Sequence, residues 1–261
     1  MRMGASSTDF TNAVFTSYVV YTRSMNEFSA IDYPIAKPLA TNACEMANSQ
    51  IKLIFAHRGS FNIAGCQRTA FIVGSRYSPI EVGYSADAGC TEFSLPPWVA
   101  TAVLGVSGCE LSQGVYDVSD LPNTPFLSAV QRSDPSALDI ARLGYASWSA
   151  GRGTSDARIA QQVWHTLRAD PGQRLDFVAK KLGLSARRVR AAVRSETGMT
   201  PAQWRRLMRL EKACHAILKI DQSLSMVAFA AGYADQSHMN RDLSELAGMT
   251  PSQLRRVTVS G

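Results

Sequence analysis

GMTPAQWRR at residues 198–206 returns as GMTPSQLRR at 248–256, 50 positions later and with seven of nine letters unchanged. Ahead of each copy lies a second matched feature: Gly183-Leu184-Ser185 running into ARRVRAAVRSET, and Gly232-Tyr233-Ala234-Asp235 running into QSHMNRDLSELA. A supersecondary unit is therefore used twice. Thr200 with Gln203, and Thr250 with Gln253, have capping-box spacing, and Pro201 and Pro251 stand at the first helical position, where a missing N–H leaves nothing unsatisfied. Each GMTP thus starts a helix. Ser185 and Asp235 are N-cap residues for the helices just upstream, and Gly183 and Gly232 suit the tight turns before them. Short apolar runs at 175–182 and 224–231 precede those turns. Helix, Gly-containing turn, helix, at about 175–197 and again at about 224–247, is a tandem helix-turn-helix pattern.

Helical phase separates the faces of these units. In the helix after Ser185, Val189, Ala192 and Val193 fall on one side, and Arg187, Arg190 and Arg194 on the other. A helix in the major groove offers its N-terminal half to base edges, so Arg187 and Arg190 are candidates for guanine contacts and Arg194 for phosphate. In the second unit Met239, Leu243 and Leu246 point inward, leaving Gln236, Ser237, Asn240, Arg241 and Ser244 outward. Gln, Asn and Arg are the side chains that make bidentate contacts with adenine or guanine edges. His238 either reaches a base or phosphate or is a surface histidine. The helix from Pro201 to about Ile220 spans roughly 30 Å, close to the pitch of one DNA turn. A spacer of that length lets one chain place two recognition helices in successive major grooves. Arg205, Arg206, Arg209 and Lys212 on it touch phosphates or are solvated.

Charge is divided in the same way. From residue 155 on there are 17 Lys and Arg against nine Asp and Glu, and before it ten against twelve, so the whole-chain excess of +6 comes from the C-terminal part. A basic region joined to a near-neutral one implies a polyanionic partner for the first and another task for the second. The five cysteines form no C-x-x-C pair and are odd in number, which points to reduced thiols rather than a disulfide framework or zinc site. MRMGASSTDFTNAVF has no apolar leader core, and no stretch has the length of a membrane span; these features imply a cytoplasmic protein without a membrane partner.

Residues 10 to about 120 read as β structure. Apolar or alternating runs at 51–56, 70–73, 80–84, 90–95 and 99–106 are separated by Gly, Pro, Ser and Asn. LPPW at 95–98 must interrupt a ladder, because Pro cannot donate to it. This spacing predicts a small antiparallel barrel or sandwich. Phe126, Leu127, Val130, Leu138, Ile140, Leu143 and Tyr145 recur at helical spacing around Asp134-Pro135, predicting two helices that pack on their own domain or form a dimer contact. Residues 147–155, WSAGRGTSD, have linker composition. A helix at about 156–168, with Ile159, Val163, Trp164 and Leu167 inward, opens the second domain. The chain is thus α+β, with a β-rich domain at 1–150 and an all-α DNA-binding domain at 151–261.

LDFVAKKLGLS, SETGMTPAQW, RLEKA, VAFAAGYADQSHMNR and GMTPSQLRR, within residues 175–256, resemble in order and spacing the DNA-binding domain of the AraC/XylS family of bacterial transcription regulators. The resemblance covers about one third of the chain. It implies seven helices with two helix-turn-helix units, binding to double-stranded promoter DNA, often as a homodimer, and activation through RNA polymerase. The family's base-reading positions fall on Arg187, Arg190 and Ala191, and on Gln236, Ser237, His238, Asn240 and Arg241. Ala191 departs from the family's usual Arg, and Val193 and Leu243 from its aromatics. The N-terminal part resembles more weakly the family's cupin-like barrels, which bind small effectors. It lacks an H-x-H pair, His57 standing alone, so no metal or other cofactor is expected.

The alternative from another class is an enzyme or thiol redox sensor fused to a DNA-binding tail. H-E-x-x-H, G-x-S-x-G and Walker motifs are absent, and Gly105-Val106-Ser107-Gly108 matches a nucleophile elbow only in part. Cys66, Cys90 and Cys109 are the candidate thiols, against the reading that they are buried and inert.

Overall fold

The computed structural model describes residues 29–33, 42–133, 136–151, 154–219 and 222–259. The apolar-poor stretch at the N-terminus lies outside them. Among the described residues are nine strands, the last of them after two short helices: β1 (Ser29–Tyr33), β2 (Asn42–Glu45), β3 (Ile51–Arg58), β4 (Phe61–Ile63), β5 (Cys66–Arg68), β6 (Ala70–Val73), β7 (Ile80–Tyr84), β8 (Gly89–Leu95) and β9 (Val115–Asp117). They form two antiparallel sheets, in the orders β1-β8-β3-β6-β9 and β2-β7-β4-β5. Of the barrel and the sandwich, the described strands form facing sheets and no closed barrel.

The five-stranded sheet is covered on both sides, and this explains its near-continuous apolar runs. Ile54, Phe71, Val73 and Cys90 point to the four-stranded sheet, meeting Phe61, Ile63, Val82 and Tyr84. One residue out of phase, Ile51, Leu53, Ile72, Phe93 and Leu95 point to the helices. Register keeps these sets apart, pairing Leu53 with Ile72 and Phe93, and Ile54 with Phe71.

The run at 99–106 is helical, which corrects the expected strand. β8 stops at Leu95, Pro97 opens a 3-10 turn over Pro97–Val99, and α1 follows at Ala100–Leu104. Ala100, Val103 and Leu104 are buried at helical spacing while Thr101 is exposed, so one stripe faces the core. Next come α2 (Gly108–Leu111), α3 (Pro125–Gln131) and α4 (Ala137–Gly151). α3 and α4 are the two helices expected around Asp134-Pro135. Leu143, one of the apolar residues at helical spacing, is 68% exposed.

The expected linker at 147–155 is also largely helix. α4 continues to Gly151, with Trp148 stacked on Tyr145, and α5 (Ser155–Ala169) begins from the Thr154 cap. Among the described residues six further helices follow: α6 (Leu175–Lys181), α7 (Ala186–Thr197), α8 (Pro201–Lys219), α9 (Leu224–Ala231), α10 (Gln236–Asp242) and α11 (Pro251–Val259). A single π-helical turn, Leu243–Ala247, extends α10. The seven helices α5–α11 match the number the resemblance implies.

One hydrophobic core runs from the sheet through these helices. At its centre Trp98, from the turn before α1, meets Trp164 of α5 edge-on at 5.3 Å and Trp204 of α8 at 5.7 Å.

Candidate nucleic-acid interface

The caps expected from sequence start the helices. Ser185 Oγ accepts the Arg188 N–H at 3.2 Å, and Asp235 Oδ1 accepts the His238 N–H at 2.7 Å. In both GMTP copies the box closes reciprocally. Thr200 Oγ1 accepts from Gln203 N at 3.2 Å and Gln203 Oε1 from Thr200 N at 2.9 Å; the Thr250–Gln253 pair gives 3.3 and 2.7 Å. Gly198 and Gly248, the first letters of each copy, cap the preceding helices in left-handed conformation at φ 69° and 67°. Each repeat therefore ends a recognition helix and starts its successor.

α7 buries Val189, Ala192 and Val193 and exposes Arg187, Arg190, Ala191 and Arg194. The three arginines make no ion pair or hydrogen bond among the described residues. Arg188, out of phase with them, is held instead by Asp156 and by Ser155 Oγ at 2.9 Å, so it fastens α7 to α5. That hydrogen bond holds the Asp156 carboxyl below its usual range. The outcome is a cationic face with free guanidinium groups above an apolar seat.

The second face is less open. Ser237 and Arg241 are exposed and Gln236 is half-exposed, with Arg241 Nε donating back to the Ser237 carbonyl at 3.4 Å. His238 is half-buried, its ring 5.1 Å edge-on from Tyr233. Asn240 is half-buried, and its Oδ1 has no hydrogen-bond partner.

The spacer arginines are mostly committed within the protein. Arg206 donates to Asp242 Oδ1 at 2.6 Å, to Glu245 Oε2 at 2.5 Å and to Tyr77 Oη at 2.5 Å, with the Tyr77 ring 5.3 Å away. Arg209 lies over the Tyr233 ring at 5.3 Å, and Arg205 Nη1 donates to the Gln173 carbonyl at 3.1 Å. No spacing signal distinguishes such arginines from phosphate binders, because their partners lie in distant parts of the chain.

A cleft of about 290 Å³ separates the sheets from α8, lined by Glu45, Met46, Lys52, Arg168, Met208, Glu211 and neighbours. Sequence reasoning did not find it. Lys52 Nζ lies 3.3 Å from Glu92 and 3.7 Å from Glu45, and Ser49 Oγ donates to Glu211 at 2.8 Å. Burial pushes the carboxyls of Glu45 and Glu211 above their usual range. A carboxyl raised on folding adds stability that is complete below its unfolded value, about 4.3, and is lost as pH rises through the folded value. Glu211→Gln keeps an acceptor for Ser49 but has no charge to desolvate. It is expected to raise stability at neutral pH, and to flatten the decline of unfolding free energy between acidic and neutral pH in urea titrations.

The remaining candidates have structural placements. Ser107 caps α2 in a capping box with Glu110, donating to its carboxylate at 2.7 Å. Cys90 is buried, but Cys66 and Cys109 are exposed, against the expectation of buried thiols. His57 is exposed near the end of β3. Among the described residues no His, Cys, Asp and Glu group has a metal-binding arrangement, and no helix is long and apolar enough to cross a membrane.

Comparison with known proteins now bears on this geometry. Residues 178–257, which carry both units, match a family described as a helix-turn-helix domain. The transcriptional activator RhaS of Escherichia fergusonii is 30% identical over 81 residues, 31% of this chain and 29% of that protein. Residues 178–257 are thus similar to an AraC-type helix-turn-helix domain. RhaS of Pectobacterium carotovorum is 21% identical over 154 residues, covering 58% of this chain and 55% of its own length. The matched stretches thus span from under a third to about half of these curated relatives. Beyond the AraC/XylS domain, ToxT from Vibrio cholerae O395 shares the fold over 90% of this chain and 99% of its own, with a TM-score of 0.52 and 8% identity. A second ToxT structure, with an unsaturated fatty acid bound, has a TM-score of 0.50 and 11% identity over 90% of this chain and 96% of its own.

Proposed function

We propose that this chain is a sequence-specific, DNA-binding transcription regulator that places α7 and α10 in successive major grooves of promoter DNA. The observation that carries this is the free cationic face of α7, built on a unit that recurs beyond a spacer of 19 residues, about 28 Å long. Arg187 and Arg190 read base edges and Arg194 holds phosphate. On α10, Gln236, Ser237 and Arg241 form the accessible reading face, with His238 and Asn240 at its covered side. The RhaS relatives, named as activators, support activation, which implies contact with RNA polymerase; a homodimer is the assembly through which family members often act.

Residues 1–150 form the effector-binding or dimerisation domain, and 151–261 the DNA-binding domain. The fatty acid bound by ToxT supports a small-molecule effector here, and the cleft beside α8 is the place for it. The enzyme or thiol-sensor alternative has less support, since the relatives are regulators and Ser107 serves as a cap.

Anisotropy titrations on a selected site test the DNA reading. Arg190→Ala is expected to cost about 1–3 kcal/mol on the preferred site and to relax choice at one position. Arg194→Ala is expected to weaken preferred and random DNA alike and to flatten the salt slope. Equal losses on both DNAs for Arg190→Ala would remove it from the reading face.

A further inference from the structure

The two recognition helices are not joined to each other. Among the described residues no hydrogen bond or ion pair links α7 to α10 or to its π turn. Both instead end on the N-terminal domain, on two loops that are themselves fastened together. Ser75 Oγ donates to the Thr197 carbonyl at the last residue of α7, at 3.2 Å. Ala47 N donates to the Leu246 carbonyl in the π turn at 2.8 Å. Asn48 and Arg76, the next residues along, exchange backbone hydrogen bonds of 3.0 and 2.9 Å. Tyr77 then reaches Arg206, which grips Asp242 and Glu245 on the second reader.

This connection is stiff. The 74–77 loop is pinned behind by α2, where a Cβ on Gly74 would stand 1.7 Å from the Leu111 carbonyl oxygen. Gln113 closes it further, accepting the Tyr77 N–H at 3.0 Å and donating its own N–H to the Ser75 carbonyl at 2.9 Å. On the other side, Gly198 lies against Ser112 so closely that a Cβ would come within 2.5 Å of its Cβ.

We infer that the N-terminal domain sets the register between the two readers, with Ser75 and Tyr77 acting as positioning residues for the spacing of the DNA half-sites. The spacer helix fixes the separation of its own ends, and the apolar packing of each unit on it is non-directional and leaves small swings open. Successive base pairs differ by about 3.4 Å along the duplex axis, so a swing of that size decides whether both helices meet their grooves. The clamp on the far ends of both readers removes that freedom. The inference rests on the reading that both helices enter one duplex.

The experiment uses the full chain, a site that it selects, and two versions of that site with one base pair added or removed between the half-sites. The wild type is expected to bind the altered spacings roughly tenfold or more weakly, the scale of losing a base contact. In Ser75→Ala/Tyr77→Ala this preference should fall to about twofold to threefold, because readers freed from the clamp follow either spacing. Arg190→Ala should weaken all three DNAs together and leave the preference intact, which separates lost contact from lost register. Tyr77→Phe keeps the ring on Arg206 without its hydroxyl, and should give an intermediate preference if the double variant folds poorly. An unchanged spacing preference in folded clamp variants overturns the inference, while the two-groove reading stands. A wild-type footprint over a single half-site overturns both.

Discussion

Arg206→Ala is expected to lower unfolding stability by about 3–5 kcal/mol, the scale of removing one partner from a buried ion pair. Asp242 is 2% exposed, and Arg206 meets it through a 2.6 Å hydrogen bond. Alanine leaves that carboxylate buried and strips Glu245 and Tyr77 of the same partner. The second Asp242 oxygen already has no hydrogen-bond partner within bonding distance, and the buried Tyr233 hydroxyl is its neighbour. Arg206→Lys restores charge but not the fork that spans Asp242 and Glu245, so partial recovery is expected. Asp242→Asn in the Arg206→Ala background removes the orphaned charge and should recover more than half of the loss. Urea unfolding of the single and double variants measures this directly. Additive losses would mean that Arg206 acts through packing alone.

Arg206 also marks where the sequence stops being informative. Its position at the end of the repeated motif makes it look like a phosphate contact, and nothing within the neighbouring residues says otherwise. Its partner Tyr77 lies 129 positions away. The caps at Ser185, Asp235, Thr200 and Thr250 were legible because donor and acceptor are three residues apart, and so was the division of α7 into faces. Strands 70–73 and 80–84 match to the residue because the apolar run of the first, the alternation of the second and the flanking turn signals are local. The run at 99–106 shows the opposite case: a short apolar stretch rich in Val fits a strand by composition, and only its burial stripe reveals a helix. The linker reading failed for a related reason. Gly and Ser lower helix propensity by about 1 kcal/mol or less per residue, and continuation of α4 past Tyr145 and Trp148 outweighs that. The cleft and the clamp were invisible, since both are made by residues from separate parts of the chain.

Trp98→Ala is expected to lower stability by about 3–5 kcal/mol and to weaken DNA binding, although the residue lies in the N-terminal domain. Trp98 is fully buried and is the ring against which both Trp164 and Trp204 pack edge-on. Its Nε1 has no hydrogen-bond partner, so the loss comes from packing rather than from a broken polar contact. Trp98→Phe therefore retains part of the effect of the ring, and a loss of roughly 1–2 kcal/mol is expected for the atoms removed. The cavity left by alanine opens between α5, to which Arg188 fastens α7, and the spacer α8. Because one core extends across both domains, sheet and helices are expected to unfold in a single transition that this substitution shifts as a whole. Fluorescence and circular dichroism followed through one urea titration check the point, with DNA affinity measured on the same samples. If the two signals separate, and the helical transition keeps its wild-type midpoint and DNA affinity, the domains are energetically independent and the shared tryptophan cluster is only a contact. Coincident, shifted transitions make the N-terminal domain part of the stability of the DNA reader.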